Sequence, residues 1–354
     1  MLAGQGRRDG AGMSAVLEVS GLTQIFTSRQ GPFGLFGRRD LRAVDDVSFV
    51  VARGRTFCLV GESGCGKTTI GRMVVRLLRP TAGSVHINGE DFGNLSGETL
   101  RRKRQQVQMV FQDPFACLNS RMTAAEIVEE PLQNFGIGDV VSRRRKVARL
   151  FDQVGLPQHF RARLPHHLSG GQRQRLGIAR ALAADPALIV ADEAVAALDV
   201  SIRSQILNLL KDVQREIGIS YLFISHDLAV VRYLADDVAV MYLGAIVEQG
   251  PAKAVFAAPV HPYTRALIDS VPAVHPRNRR RRAALEGEVP SAASLPSGCR
   301  FRTRCPFATD ICAQAAPAMT EVTPGHAVAC HHAGSLPRFD APGPGRAVAP
   351  DAVA

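Results

Sequence analysis

Apolar residues in this chain alternate between short continuous runs and stripes of helical period. Thr56 to Val60 is an apolar run of strand type. It is followed by Ile70, Met73, Val74, Leu77 and Leu78, whose i, i+3, i+4, i+7, i+8 spacing predicts a helix with one core-facing stripe. Strands are expected within Leu17 to Val51, interrupted by a Gly/Arg/Phe-rich loop from Ser28 to Arg39, and Val85-His86-Ile87 with Asn88-Gly89 reads as a strand entering a hairpin turn. A short strand follows over Gln106 to Phe111. Helical period then dominates from Thr123 to Ala184, broken at Gly136, Gly155 and Pro165, which predicts a helical subdomain inserted into a sheet domain. Leu188 to Ala191 and Tyr221 to Ile224 have the unbroken apolar character of parallel strands buried on both faces. Between them Ile202, Ile206, Leu209, Leu210, Val213 and Ile217 form a helical stripe stopped by Gly218. Strands alternating with helices predict an α/β fold with a mostly parallel, doubly wound sheet. Val271 to Pro296 reads as a linker, the residues from Leu336 to 354 as a disordered tail, and Met1 to Ser14 as a flexible leader or an over-long start before Met13. No internal repeat is evident.

Strand ends carry the chemistry. Gly61-Glu62-Ser63-Gly64-Cys65-Gly66-Lys67-Thr68 matches the phosphate-cradling pattern G-x-x-x-x-G-K-[ST], between a strand and a helix as that mechanism requires. Backbone N–H groups and the helix N-terminus favour phosphate oxygens, Lys67 suits the β/γ-phosphates, and the Thr68 hydroxyl suits Mg²⁺. The run Leu188 to Ala191 ends in Asp192-Glu193, two carboxylates at the sheet edge where such folds bind ligands. Asp192 suits orienting Mg²⁺ and Glu193 suits polarising an attacking water. Gln112 and His226, each following a strand, are candidates for contacting metal and water, and the γ-phosphate, respectively. Leu168-Ser169-Gly170-Gly171-Gln172 opens a further helix with Ser169 as N-cap and offers a second anion site. A long helical segment separates it from Gly61 to Thr68, so the two sites are expected to meet across a pair of subunits.

Together, from Val16 to Gly250, these elements resemble the ABC transporter ATPases in kind and order. The resemblance implies a P-loop ABC-ATPase fold with a RecA-like core, an antiparallel β-subdomain, a helical subdomain at about 115–185 within a nucleotide-binding domain of 15–255, and a Cys-containing extension over 256–335. It implies nucleotide contacts from Gly61, Glu62, Ser63, Gly64, Cys65, Gly66, Lys67, Thr68 and Thr69, with Phe26 in the place of the adenine-stacking aromatic unless it is a buried core residue. It further implies catalysis by Glu193, His226 and Gln112, Mg²⁺ held by Thr68, Gln112 and Asp192, a D-loop at Ala197-Leu198-Asp199, and contact of Leu168 to Gln172 with the ATP of a partner subunit. Ala194 and Ala196 stand where the family usually has Pro and Ser before the D-loop, a departure expected to weaken cross-talk between paired sites while leaving hydrolysis in place.

Val110 to Phe115, Leu118-Asn119, Arg121-Met122-Thr123, His261-Pro262-Tyr263-Thr264 and Glu286 to Ser291 are similar to the oligopeptide/dipeptide importer ATPases, which include nickel importers. That resemblance implies ATP and Mg²⁺, two transmembrane permease subunits, a second identical or sister ATPase, an extracytoplasmic substrate-binding protein, and a peripheral position on the cytoplasmic face of the inner membrane. Cys299, Cys305, Cys312 and Cys330 stand as C-x5-C-x6-C-x17-C, and some relatives are thought to hold a [4Fe-4S] cluster there. The spacing is neither a ferredoxin run nor a zinc ribbon, and iron–sulfur, zinc and four reduced thiols all remain open.

Charge changes this picture little. The net charge of +11 is compatible with nucleotide, nucleic acid or a membrane face, and its bursts at Arg101 to Arg104, Arg143 to Lys146, and Arg277 with Arg279 to Arg282 read as solvated faces or linker. Absence of Trp and only four Tyr argue against base-stacking surfaces. A soluble ABC ATPase acting on nucleic acid is the competing class, but one cassette without sustained heptads speaks against it, and no nucleic-acid partner is expected. No run reaches the roughly 18 apolar residues of a membrane span, so the chain is expected to remain in the cytosol.

Overall fold

The computed structural model describes residues 14–29, 38–270, 288 and 290–336. The expected leader before residue 14, most of the 28–39 loop, most of the linker with its Arg277 to Arg282 burst, and the tail beyond 336 lie outside them.

The first strands, β1 (Ala15–Arg29) and β2 (Arg38–Ala52), pair antiparallel, and β3 (Thr56–Val60) leads through the glycine-rich loop into α1 (Lys67–Val74). β4 (Ala82–Ile87) returns to β1 and turns at Asn88-Gly89 into β5 (Glu90–Asp91), with Ile87 opposite Glu90 and both turn residues at positive φ, 51° and 77°. Then come α2 (Gly97–Lys103), β6 (Val107–Val110), α3 (Pro114–Cys117), α4 (Ala124–Asn134), α5 (Val140–Gln153) and α6 (Gly170–Leu182), so that only helices join β6 to the next strand. That strand is β7 (Leu188–Asp192), followed by α7 (Val200–Ile217), β8 (Ser220–Ser225), α8 (Leu228–Leu234), β9 (Asp237–Tyr242) and β10 (Ala245–Pro251). The C-terminal part adds α9 (Ala252–Ala257), α10 (Pro262–Ser270), α11 (Asp310–Gln314), β11 (Thr320–Thr323) and β12 (His326–Val328).

Two sheets result. One is antiparallel in the order β2-β1-β4-β5. The other runs β11-β12-β10-β9-β3-β8-β7-β6, parallel from β9 to β6 and antiparallel over the remaining strands. Strand side chains alternate between faces. Phe57 and Leu59 of β3 join Ile70, Met73 and Val74 of α1 in a core shared with the antiparallel sheet, while Cys58 and Val60 join the helices that follow β6 in a second core. Both faces being covered explains why β3, β7 and β8 read as continuous apolar runs.

Two expectations need correction. The helix after the phosphate loop ends at Val74; beyond it Leu77 is 56% exposed, while Leu78, no longer in the helix, still packs against the same core. Arg76 takes a left-handed conformation (φ 58°), and the N–H groups of Arg76 and Leu77 return to the carbonyls of Met73 and Arg72 in a Schellman closure. The buried Arg76 side chain fixes that closure by donating to the carbonyls of Phe92 and Leu95. Likewise Ile217, assigned to the stripe of α7, is 52% exposed in its last turn, before Gly218 caps the helix. Helices α4 and α5 do stop at Gly136 and Gly155, where Ile137 and Leu156 N–H groups close onto the carbonyls of Leu132 and Phe151.

Candidate active site

Four strands of the parallel part end at the same edge, and each delivers a segment there. The loop Gly61 to Thr68 follows β3, Gln112 follows β6, Asp192 and Glu193 end β7, and His226 follows β8. Gly66 holds the loop against the strand pair behind it: φ is 105°, and a Cβ there would lie 2.3 Å from the Ala43 carbonyl oxygen, so no other residue fits without moving backbone. Lys67 is 4% exposed and its Nζ donates to the carbonyls of Gly61 and Glu62, both at 2.9 Å. Thr68 Oγ1 donates to Asp192 Oδ1 at 2.9 Å, and Thr69 continues the first turn of α1. Burial pushes the Asp192 carboxyl above the usual aspartate range, with the Thr68 hydroxyl opposing that shift. Hydroxyl and carboxylate oxygens side by side are the hard donors that Mg²⁺ selects.

Glu193 stands beside this pair with φ 46°, a conformation that costs a non-glycine residue about 1–3 kcal/mol. Its N–H is fixed on the Ile224 carbonyl, and its carboxylate is bracketed: Gln112 Nε2 donates to Oε2 at 2.8 Å and His226 Nδ1 to Oε1 at 3.1 Å. Glu193, His226, Gly61, Glu62 and Ser63 line one cavity of about 350 Å³. Phe26 is 40% exposed on β1, opposite Leu41, and is therefore not a core residue.

The segment Leu168 to Gln172 stands apart from these residues in the fold. Leu168 is buried, and Ser169 caps α6 in a reciprocal box, its Oγ accepting from Gln172 N–H while Gln172 Oε1 accepts from Ser169 N–H. Gly171 is a close-approach position, since a Cβ there would sit 2.5 Å from Ile202 Cγ2 on α7. Asp199 precedes α7 without capping it through its side chain. Helix α1 packs in one core and α6 in the other, on opposite faces of the large sheet.

Cys299, Cys305 and Cys330 are half-buried and Cys312 buried, all as free thiols. Burial raises the thiol pKa of Cys299 and Cys330, and pushes that of Cys305 up to about 11, with neighbouring thiols adding to the effect. Cys312 Sγ faces His332 Nε2 at 3.7 Å and Thr309 Oγ1 at 3.8 Å. Among the described residues no group of three His, Cys, Asp or Glu side chains is arranged as a metal shell, so the geometry lends no support to the cluster or zinc that the sequence left open, although the four thiols lie near enough to perturb one another.

Several residues at the site escaped the sequence reading. Arg203 on α7 donates to Asp227 Oδ2 at 2.9 Å and to the Leu198 carbonyl at 3.1 Å, joining the segment before α7 to the neighbour of His226. Tyr263 and Arg304 hold Glu62 from the C-terminal part. The sequence offered only the His261 to Thr264 motif as a signal for Tyr263, and none for the two arginines.

Comparison with known proteins agrees with this geometry. Residues 44–196 match the ABC transporter family model and residues 247–312 the oligopeptide/dipeptide transporter C-terminal region. The chain is 51% identical to a probable peptide ABC transporter ATP-binding protein of Sinorhizobium fredii, covering 90% of each chain. It is 48% identical to the oligopeptide transport ATP-binding protein AppF of Bacillus subtilis, covering 91% of this chain and 98% of that one. A solved dimeric ATP-binding cassette, MJ0796 bound to ADP and Pi, aligns with a TM-score of 0.59 at 29% identity over 67% of this chain and 98% of that one. With these relatives and this site, the chain belongs to the ATP-hydrolysing ABC transporter proteins and carries their oligopeptide/dipeptide C-terminal region.

Proposed function

We propose that this chain binds and hydrolyses ATP to drive uptake of di- or oligopeptides through a membrane permease. The observation that carries the catalytic part is the Gln112–Glu193–His226 bracket, set at one sheet edge beside the Thr68–Asp192 pair and the Lys67 loop. In-line transfer of a phosphoryl group needs a positioned water more than covalent help. Glu193, pinned at its N–H and at both carboxylate oxygens, is the residue to orient that water, and Gln112 and His226 keep its carboxylate aimed into the cavity. Lys67 and the loop N–H groups bind the phosphates, with Thr69 at the helix start and Phe26 as the exposed face for adenine. Thr68, Asp192 and Gln112 would hold Mg²⁺, which when bound supplies charge neutralisation on the β/γ oxygens.

Ser169 to Gln172 is read as the half-site for a second subunit's ATP, because α1 and α6 lie on opposite faces of one sheet. The dimeric state of the similar MJ0796 cassette supports that reading. ATP then favours the closed pair and hydrolysis releases it. Among the described residues no helix is long and apolar enough to cross a membrane. A peripheral subunit on the cytoplasmic face fits, working with two permease subunits, a second ATPase and, at one remove, an extracytoplasmic binding protein. The permease would dock beside Gln112 to Arg121, a reading supported by the exposure of Phe115 within that segment. Peptides are favoured over nickel, and transport over nucleic-acid work, by the names of the relatives, including the dipeptide transport protein DppF of Haemophilus influenzae at 45% identity.

Glu193→Gln tests the proposal. It should lower ATP turnover by at least about a hundredfold while leaving ATP-bound dimers detectable by size-exclusion chromatography with light scattering. Unchanged turnover would remove Glu193 from its role. Turnover stimulated by DNA but not by reconstituted permease would overturn the transport reading.

A further inference from the structure

Glu62 is held from three directions. Its carbonyl accepts from Lys67 Nζ, its N–H donates to Tyr263 Oη at 2.9 Å, and its carboxylate receives a two-pronged bond from Arg304, Nη1 to Oε2 at 2.8 Å and Nη2 to Oε1 at 3.2 Å. From the phosphate loop itself come only bonds to the Glu62 carbonyl, from Lys67 Nζ and, at 3.4 Å, from the Cys65 N–H. Tyr263 lies on α10, fully buried, with its ring 4.8 Å from that of Tyr242 and 5.5 Å from that of Phe301. Arg304 sits in the turn after Phe301, directly before Cys305, and its side chain is 5% exposed. Planar bidentate pairing of this kind fixes direction as well as charge. The same extension reaches the cassette again through Arg300, which bonds Asp45 and the Leu243 carbonyl.

The need for this clasp follows from charge. Glu62 and Glu193 line one cavity, so two carboxylates face the space beside a loop built for phosphate. Glu193 is required for its own chemistry. An unpaired Glu62 would repel the ligand from within the cradle. We propose that Arg304 is a positioning residue of the nucleotide site: it neutralises Glu62 and, together with Tyr263, fixes the second residue of the phosphate loop, making the C-terminal extension a working part of ATP binding. This rests on reading Gly61 to Thr68 as the ATP site.

The test is a charge cycle on the full chain, with a non-hydrolysable ATP analogue and Mg²⁺ titrated by calorimetry and steady-state ATPase measured alongside. Arg304→Met should raise Kd and KM about tenfold, with kcat within about threefold of wild type. Arg304→Lys, which keeps the charge but not the two-pronged geometry, should lose about threefold relative to wild type, less than Arg304→Met. Glu62→Gln added to Arg304→Met should bring Kd back to within about threefold of wild type, because the repelling charge is gone. Support for the fold alone would give a loss that Glu62→Gln does not repair, and that outcome, or an Arg304→Met protein binding as wild type does, overturns the inference. If Arg304→Met does not fold by circular dichroism, Tyr263→Phe and Arg304→Gln take its place. Each must then raise Kd at least about threefold, and Glu62→Gln must repair the Arg304→Gln loss, or the inference falls. Wild-type protein that binds no analogue would overturn the ATP reading itself, whereas tight wild-type binding with insensitive variants overturns only the role of Arg304.

Discussion

Replacing Glu248 by Gln should destabilise the join between the C-terminal extension and the parallel sheet by about 3 kcal/mol. Glu248 is 0% exposed in β10, a strand that pairs with β12. Its Oε1 accepts from Val260 N–H at 2.8 Å and from His326 Nε2 at 2.8 Å, and its Oε2 accepts from His261 N–H at 2.9 Å. All three neighbours are donors, so the site needs an acceptor on both oxygens. Glutamine has one oxygen and one NH₂ in the same shape. In one orientation the NH₂ meets His261 N–H, and in the other it meets Val260 N–H and His326. Rotation therefore cannot rescue it, and one backbone N–H loses its partner either way. An unsatisfied buried donor costs about 1–3 kcal/mol, and loss of charge assistance on the remaining bonds adds roughly another 1. For a chain of this size that corresponds to a fall in thermal midpoint of roughly 4 °C. Thermal unfolding followed by circular dichroism, at one scan rate for both proteins, measures it. A shift below about 2 °C would refute the claim that Glu248 is the acceptor on which these donors depend.

Other perturbations probe separate parts of the molecule. His261 is fully buried, and burial holds its pKa down to about 4 from 6.5. The folded protein therefore refuses a proton that the unfolded chain accepts. The stability this residue contributes is complete above pH 6.5 and is lost as pH falls toward 4, by up to about 1.4 kcal/mol per pH unit. The thermal midpoint of His261→Asn should fall less steeply over that window than wild type, and parallel curves would sink the assignment. Arg203→Met removes both bonds between the segment before α7 and Asp227, and should lower kcat about tenfold with Kd for ATP nearly unchanged. Stopped-flow phosphate release reads the first and analogue titration the second, and an unaltered kcat would show that this bridge does not serve His226.

What the sequence made legible is what has a local period or a local spacing. Thr56 to Val60 could be bounded by its apolar run because burial on both faces leaves no polar position inside it. The phosphate loop could be read because its geometry is written in eight consecutive residues. The end of α1 could not. Leu77 and Leu78 continue the apolar period, and the closure that overrides them depends on Arg76 finding two carbonyls at Phe92 and Leu95. The residues around Glu193 were nameable one at a time, each at a strand end, because parallel strands put all their carboxyl ends on one edge. That Gln112 and His226 both bond the Glu193 carboxylate was not written in any spacing.

The least legible part is the attachment of the extension, and the reason is the same. Glu62 meets Arg304 across 242 positions and Tyr263 across 201, distances at which charge and hydroxyl pairing leave no periodic trace. The family resemblance sets residues 256–335 apart as an extension, whereas β12 pairs with β10 and continues the sheet that holds the phosphate loop. Phe301, 1% exposed, packs its ring 5.3 Å from Tyr242 at the end of β9, the strand adjoining β3. A sheet edge, an aromatic cluster and the Arg304 pair thus lead from the four-cysteine region to the second residue of the loop without a break. A displacement of the extension by more than the reach of one guanidinium would leave Glu62 charged and unpaired inside the phosphate cradle, so the stability of this region and the affinity for ATP should fall together in any variant that loosens it.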